Sequence, residues 1–281
     1  MASGKAGDPN VAIELLWRDE EPPPPRPGLT LDRIVRAAVA VADAEGLEGL
    51  SMRKVGERLG FTSMSLYRHV PSRDQLIDLM RDAVLGQLAD AALPAGGWRE
   101  RLAALAREGW QVRRRHPWLA EVRGTRHVPG PNGVAHYEHL LSAVADTGLA
   151  PAEVVAVVGV VGRFVDAEAA RLVDAARTER HSGVSDQDWW GAHDALYARL
   201  DRYPTLSSLW EAGGFDEPED AFEFGLRTVL DGVEALVQRR RDEIRHETCR
   251  SCGSPMERAP AGRPRTYCSQ ACRQRAYRQR R

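Results

Sequence analysis

The sequence has no cysteine before residue 249 and no apolar stretch longer than nine residues, Val154 to Gly162, which ends at Arg163. The first absence excludes a disulfide framework spread through a small secreted fold. The second excludes a membrane-spanning helix, which needs about 20 apolar residues. The opening residues lack a basic stretch followed by an apolar one, so no secretory leader is expected and the chain reads as cytoplasmic. No nucleophile elbow, phosphate loop or dinucleotide fingerprint is present, and no enzyme is expected. Net charge is also lacking, at −1 over 281 residues, while 43% hydrophobic and 28% charged residues are ordinary for a globular chain.

What is present is unevenly distributed. Residues 249–281 hold nine arginines, one acid (Glu257) and all four cysteines, a local charge of +8 against −9 for the rest. Such asymmetry points to a segment that meets an anion. At the other end, Pro22 to Pro25 and Pro27-Gly28 allow neither helix nor central strand, so 1–28 reads by default as an unstructured, Pro-rich arm, within which the short apolar island Val11 to Trp17 is the one stretch that could dock on the body. Four units are expected: that arm, 29–90, 91–245 and 246–281.

From Leu29 the pattern is helical, and the fold class is all-α. Thr30 caps a helix whose Ile34, Ala37, Ala38, Val41 and Ala42 share one face, and Gly46 stops it. Ser51 caps a second helix ending at Gly60. A third runs from about Ser63 to Val70 before Pro71, and Ser72 caps a fourth. After Gly96-Gly97, helices are expected near 98–115, 118–123, 132–147, 151–178, 186–202 and 218–245. The Val-rich stretch 154–165 has helical spacing and no partner strand, so it is read as helix.

Residues 51–70 carry the most information. Two short helices meet at Gly60, where the missing Cβ permits a sharp turn. Val55, Leu59, Phe61 and Leu66 form the seam between them. Ser63, Met64, Ser65, Arg68 and His69 are left on the outer side, and residues 51–73 carry a local +4. Short hydroxyls let a helix approach a groove, and Arg and His donate to bases or phosphates.

The run Ala44-Glu-Gly-Leu-Glu-Gly-Leu-Ser-Met-Arg-Lys-Val, then Leu59-Gly-Phe, then Leu66-Tyr-Arg-His-Val with Arg73 and Leu76, resembles the DNA-binding domain of the tetracycline-repressor (TetR) family over about 29–88. His116-Pro-Trp, Gly130-Pro-Asn and Thr147-Gly-Leu are similar, more weakly, to the effector domain of its founding branch. The resemblance implies a homodimeric repressor that binds a double-stranded operator and is released by a small molecule. It implies that Arg53 reaches a base edge, that Ser63, Met64, Ser65 and Arg68 lie at the major groove, and that Thr62 is a further DNA-binding residue. It implies that Ser51, Lys54, Tyr67, His69 and Arg73 hold phosphates. The helices near 151–178 and 218–245 would form the dimer interface, with small residues such as Gly159, Gly162, Gly225 and Gly232 allowing close approach. The branch's drug-liganding His and Glu fall on Val122 and near Arg171, so the resemblance leaves the ligand open.

For that ligand, the aromatics Trp98, Trp110, Trp118, Phe164, Trp189, Trp190, Tyr197 and Trp210 are either pocket lining or plain core. The polar candidates are His116, Arg123, Arg126, His136, Tyr137, His139, Arg163, Asp166 and Glu168. Trp110, His116, Arg123, His136, Phe164 and Glu168 are the expected binding set.

In the tail, Cys249-x2-Cys252-x15-Cys268-x3-Cys272 has the spacing of a structural zinc site with four thiolate ligands. Such a closed set leaves water no position, so the zinc would be structural, and it would supply the folding energy of a segment with almost no core. The end of the chain resembles zinc-ribbon or treble-clef-like tails. Its arginines are either an accessory contact to DNA phosphates or a solvated or protein-binding knob. An alternative role is sensing of metal or redox state through this tail.

Overall fold

The computed structural model describes residues 9–18, 28–89, 95–122, 127–197, 199–215, 220–256 and 266–279. The proline run Pro22–Pro25 and the candidates Arg123 and Arg126 lie outside them. Among the described residues the fold is all-α, with no strand beyond an isolated bridge between Thr248 and Pro255.

The order is α1 (Pro9–Leu16), α2 (Leu31–Gly49), α3 (Met52–Leu59), α4 (Ser63–Tyr67), α5 (Arg73–Ala89), α6 (Trp98–Arg115) and α7 (Trp118–Glu121). Then come α8 (Pro131–Ala145), α9 (Pro151–Ser182), α10 (Asp186–Gly191), α11 (Asp194–Tyr197), α12 (Pro204–Glu211), α13 (Ala221–Glu247) and α14 (Gln270–Arg278). No helix of the described residues is long and apolar enough to cross a membrane.

The expected caps form. Thr30, Ser51 and Ser72 accept from the backbone N–H groups of Arg33, Lys54 and Gln75 at 3.2, 3.3 and 3.2 Å. Each satisfies an orphan helix donor, worth about 1 kcal/mol. Gly60 ends α3 in the left-handed region (φ 74°, ψ 29°), as the turn requires. Gly46 breaks α2 with φ 69° and ψ 179°, after which the chain resumes one more turn.

Two apolar cores result. The first joins α2 to α5 through Ile34, Val55, Leu66, Val70, Leu76 and Met80, and takes in Trp118 from α7. The second lies among α6, α8, α9 and α13, around Leu102, Trp110, Val144, Val161, Phe222 and Leu226. Helix α5 lies in the first core yet packs along α8, so it connects the two. Midway along α5, Asp82 Oδ1 accepts from the Gly133 N–H (2.9 Å) and its backbone carbonyl accepts from Asn132 Nδ2 (3.2 Å). Gly130 has no room for a Cβ, which would collide with the Asp82 carboxylate. Burial raises the Asp82 carboxyl above its ordinary range, against the pull of these donors.

Three expectations need correction. The segment read as an arm contains α1, which packs on α5. Leu16 is buried there, and Trp17 Nε1 donates to the Pro129 carbonyl at 3.0 Å. A helix of eight residues suffices because a neighbouring helix supplies the other half of its core. The helix expected over about 63–70 is shorter: α4 ends at Tyr67 with Arg68 as its C-cap, and a turn through His69 and Val70, both donating to the Leu66 carbonyl, leads to Pro71. The single helix expected over 186–202 is broken into α10, α11 and a 3-10 turn at Leu200–Arg202, and α12 follows after Pro204. Trp189, Trp190, Tyr203 and Trp210 are about half exposed in that stretch, so its aromatic side chains have no core to hold one long helix down.

Candidate functional site

The helix-turn-helix is held from inside. Val55, Leu66 and Val70 are fully buried, and the Phe61 N–H donates to the Gly56 carbonyl at 2.9 Å. A Cβ on Gly56 would lie 2.6 Å from the Phe61 carbonyl oxygen. That contact sets how closely α3 and α4 approach.

The outward residues of α4 and its flanks are those expected. Met64 is 72% exposed; Tyr67, Arg68 and Thr62 are exposed; Ser63, Ser65 and His69 are half-buried. Thr62 caps α4 by accepting from the Ser65 N–H (3.3 Å), and its hydroxyl lies 3.0 Å from that of Ser65. Arg68 Nη2 is 3.4 Å from Ser65 Oγ. Ser51 Oγ is occupied by its cap. Arg53 pairs with Glu57 at 2.7 Å, and Lys54 with Glu45. Exposed pairs of this kind are worth a few tenths of a kcal/mol, so a phosphate competes easily for either cation. Arg73 is committed differently, donating to the Leu50 and Leu47 carbonyls at 3.2 and 2.6 Å. It ties α5 to the turn that leads into α3.

The residues expected around a ligand do not converge on one point. Trp110 stacks on Phe222 with ring centroids 4.6 Å apart, and Phe164 on the same ring at 5.5 Å, inside the second core. His116 sits at the junction of α2, α5 and α6: Nδ1 is 2.7 Å from Asp43 Oδ1 and Nε2 is 3.3 Å from Gln87. Trp118 Nε1 donates to the same Asp43 oxygen at 2.8 Å, so both residues tie the domains together. Glu168 accepts from Arg171 at 3.2 Å on the α9 surface. Tyr137 and Arg163 are exposed rather than interior.

His136 is half-buried, with its Nδ1 shut off from solvent. With His139 on α8, it faces a polar group formed by Arg113 of α6, Asp166 of α9 and Arg81 of α5. Arg113 Nη2 meets Asp166 Oδ1 at 2.6 Å. The Nδ1 atoms of His136 and His139 are buried without a hydrogen-bond partner. Arg113 and Arg81 were not among the sequence candidates; a basic residue on a helix reads as solvated until the facing helix is known.

Burial, the Arg113 charge and His139 hold the His136 imidazole down, from 6.5 to about 4. The folded state therefore resists the proton that the unfolded chain takes up below 6.5. That stabilisation is complete above about pH 6.5 and is lost as pH falls toward 4, amounting to about 3 kcal/mol in total. His136→Gln is expected to flatten the decline of denaturant midpoint between pH 7 and pH 4. An unaltered decline would show that this imidazole is not held neutral.

The four cysteines come together as their spacing predicts. Their sulfurs all lie within 4.8 Å of one another, with Cys252–Cys268 at 3.5 Å and Cys268–Cys272 at 3.6 Å. Sulfurs held at 2.3 Å around a tetrahedral zinc ion lie about 3.8 Å apart, so the set fits that ion. Gly253, at φ 71°, closes the first knuckle with its N–H on the Cys249 carbonyl (2.8 Å). Ser269 caps α14 by accepting from the Cys272 N–H at 3.2 Å. The backbone N–H of Cys268, with those of Ser251 and Cys252, lowers the Cys249 thiol to about 6.

Comparison with known proteins adds the family context. Residues 34–80 match the family described as "Bacterial regulatory proteins, tetR family", and residues 91–237 match "Tetracyclin repressor-like, C-terminal domain". The chain is 42% identical over 244 residues to the HTH-type transcriptional repressor DrrR1 of Streptomyces coeruleorubidus, covering 85% of this chain and 90% of that protein. It is 34% identical to an HTH-type transcriptional regulator of Saccharopolyspora erythraea, over 84% and 98% of the two chains. The structure of the TetR family protein ActR of Streptomyces coelicolor in complex with actinorhodin matches with TM-score 0.62 and 30% identity, over 75% of this chain and 97% of that one.

Proposed function

The chain belongs to the TetR family of bacterial regulatory proteins, and from that premise we propose how its residues carry out ligand-responsive repression. The protein is a DNA-binding transcriptional repressor that acts as a homodimer and responds to a small-molecule effector. Residues 29–90 are the reading head and 91–245 the effector and dimerisation domain.

In this reading α4 enters the major groove with Ser63, Met64, Ser65 and Arg68 toward the bases, beside Arg53 and Thr62. Ser51, Lys54, Tyr67 and His69 hold phosphates, and Arg73 keeps the head on α5. The observation that carries it is the α3–α4 packing: Leu66 is fully buried while its neighbours Met64, Tyr67 and Arg68 are exposed. Phosphate contacts position the head and base contacts specify the sequence.

Dimerisation is assigned to the outer faces of α9 and α13. Val155, Val160 and Phe224 are exposed there, and beyond the adjoining residues and the helix's own backbone no atom lies within 4 Å of where a Cβ on Gly162 or Gly232 would sit. A two-fold dimer presents two heads to half-sites about one helical turn apart.

The effector is assigned to the half-buried polar cluster bounded by α5, α6, α8 and α9, where His136 and His139 offer unpaired ring nitrogens. A hydrogen-bonding ligand there acts on Arg113, Asp166 and Arg81, and so on α5. Because α5 begins directly after the reading helix, its displacement moves the heads apart or together. Ligand binds better to the conformer with misplaced heads, and DNA and ligand weaken each other by the same factor. A coupling of about 3 kcal/mol releases the operator roughly 150-fold. The ligand complex of ActR supports this small-molecule reading, and no observation favours sensing through the cysteine tail.

Nuclease footprinting of the DNA upstream of the gene tests the reading. Two protected half-sites one turn apart are expected, and no protection at low salt would overturn it. Arg68→Ala is expected to cost about 1–3 kcal/mol, roughly 5- to 150-fold, and to relax preference at one base pair per half-site. Lys54→Ala is expected to weaken all sequences alike.

The tail 246–281 is assigned as a structural zinc module with Cys249, Cys252, Cys268 and Cys272 as ligands. The support is the sulfur spacing and the fact that all four cysteines are free of disulfides.

A further inference from the structure

The two long helices fix where the tail emerges. At the C-terminal end of α9, Arg177 lies 3.5 Å from Glu121 of α7 and 3.9 Å from Glu48 of α2, beside the reading head. At its N-terminal end, Glu153 pairs with Arg240 near the end of α13 at 3.3 Å. These residues are 24 apart on one helix, a rise of about 36 Å. Helix α13 runs the opposite way, from Glu223, paired with Arg107 at 2.8 Å, to Glu247 without a break. The tail therefore leaves from the end of the bundle remote from α4. An accessory contact to phosphates of the operator duplex itself, one of the two readings of the arginines, does not fit this position.

The surface at that end is nonetheless built for phosphate. On α14, Arg273, Arg275 and Arg278 are exposed, with Arg275 and Arg278 on one face. A groove of about 520 Å³ is lined by Tyr267, Gln270, Arg273, Gln274, Ala276, Tyr277 and Arg278. All of these except Ala276 are types that donate hydrogen bonds to phosphate oxygens. A zinc centre with four thiolates carries −2, which leaves the tail's +8 at about +6. Tyr277 is the sole exposed large hydrophobic residue among the described residues of the tail. A protein partner needs a desolvated apolar centre, whereas a phosphate lattice needs spaced cations and donors.

We propose that the paired tails of the dimer form a second, sequence-independent DNA-binding pole, so that a repressor seated on its operator can hold another duplex segment. The heads of a two-fold dimer face one operator, and both tails lie at the opposite end. The proposal rests on the zinc-module and repressor readings, and the test reads each separately.

Full-length zinc-loaded protein is captured on a bead-tethered operator fragment, and a labelled duplex of unrelated sequence is added at low ionic strength. Capture reports the heads, zinc content reports the module, and retained label reports the second pole. Retention is expected, with a log K against log salt slope of about −5 for three arginines on each of two tails. The variant R273A/R275A/R278A is expected to keep its operator footprint and one zinc per chain while binding the second duplex at least tenfold more weakly. Alanine is the stronger helix former, so α14 is not weakened. Absence of retention by the unmodified protein, or equal retention by the variant, overturns the proposal. Displacement of the duplex by lower concentrations of single-stranded RNA or of polyglutamate also overturns it, in favour of an RNA or an acidic protein partner. If the operator is not captured, Gly56→Val protein is fixed to the beads beside the same protein carrying R273A/R275A/R278A: duplex binding lost with the three arginines sustains the second pole, and no binding, or equal binding by both, removes it.

Discussion

Gly56→Val is expected to abolish operator binding while leaving the effector domain folded. The added Cβ would lie 2.6 Å from the carbonyl oxygen of Phe61 and 3.4 Å from the backbone N of Ser63. Neither is a side chain that can rotate away. Relief requires α4 to move off α3, and with it the Phe61 N–H bond to the Gly56 carbonyl and the burial of Leu66. Overpacking of this kind costs about 1–3 kcal/mol, and a backbone collision lies at the upper end. Gel-shift titration and hydrogen exchange provide the measurement: affinity falls to the level of non-specific binding, and protection is lost over 52–70 but kept over α9 and α13. Binding within tenfold of the unmodified protein would mean that α3 and α4 need not approach as closely as they do here.

The second large effect is expected from removing the metal. Cys272→Ser takes one of four ligands from a segment whose described residues bury little besides Cys249 and Cys272 themselves. Structural zinc contributes about 10 kcal/mol or more to such modules, far beyond what a nine-residue helix retains alone. Zinc content is expected to fall from one per chain to none, and α14 to become open to protease. The bundle has its own apolar core, so its thermal midpoint and the operator affinity are expected to stay unchanged. Purified unmodified protein without zinc, or a variant that still holds it, would remove the assignment. A loss of operator affinity on chelation would reinstate metal sensing through the tail.

Legibility followed the range of the interactions. The caps at Thr30, Ser51 and Ser72, the turn at Gly60 and the buried Leu66 beside exposed Arg68 are set within a few residues of each other. Gly56 in the same motif went unread because its constraint is the Phe61 carbonyl, which only the closed turn brings near. The cysteines were legible because ligand spacing is itself sequence information. The effector region was legible only in kind. Trp110 and Phe164 meet through Phe222, more than fifty residues further on, while His116 is drawn off to Asp43.

The order of residues alone determined the helical period, the caps, the charge asymmetry and the thiolate set, because each depends on side chains close along the chain. Tertiary structure alone decided which polar groups became interior, how α5 links head to effector domain, and that the basic tail stands far from α4. Those depend on which helix faces which, and on a 32-residue α9 holding the two ends of the bundle apart.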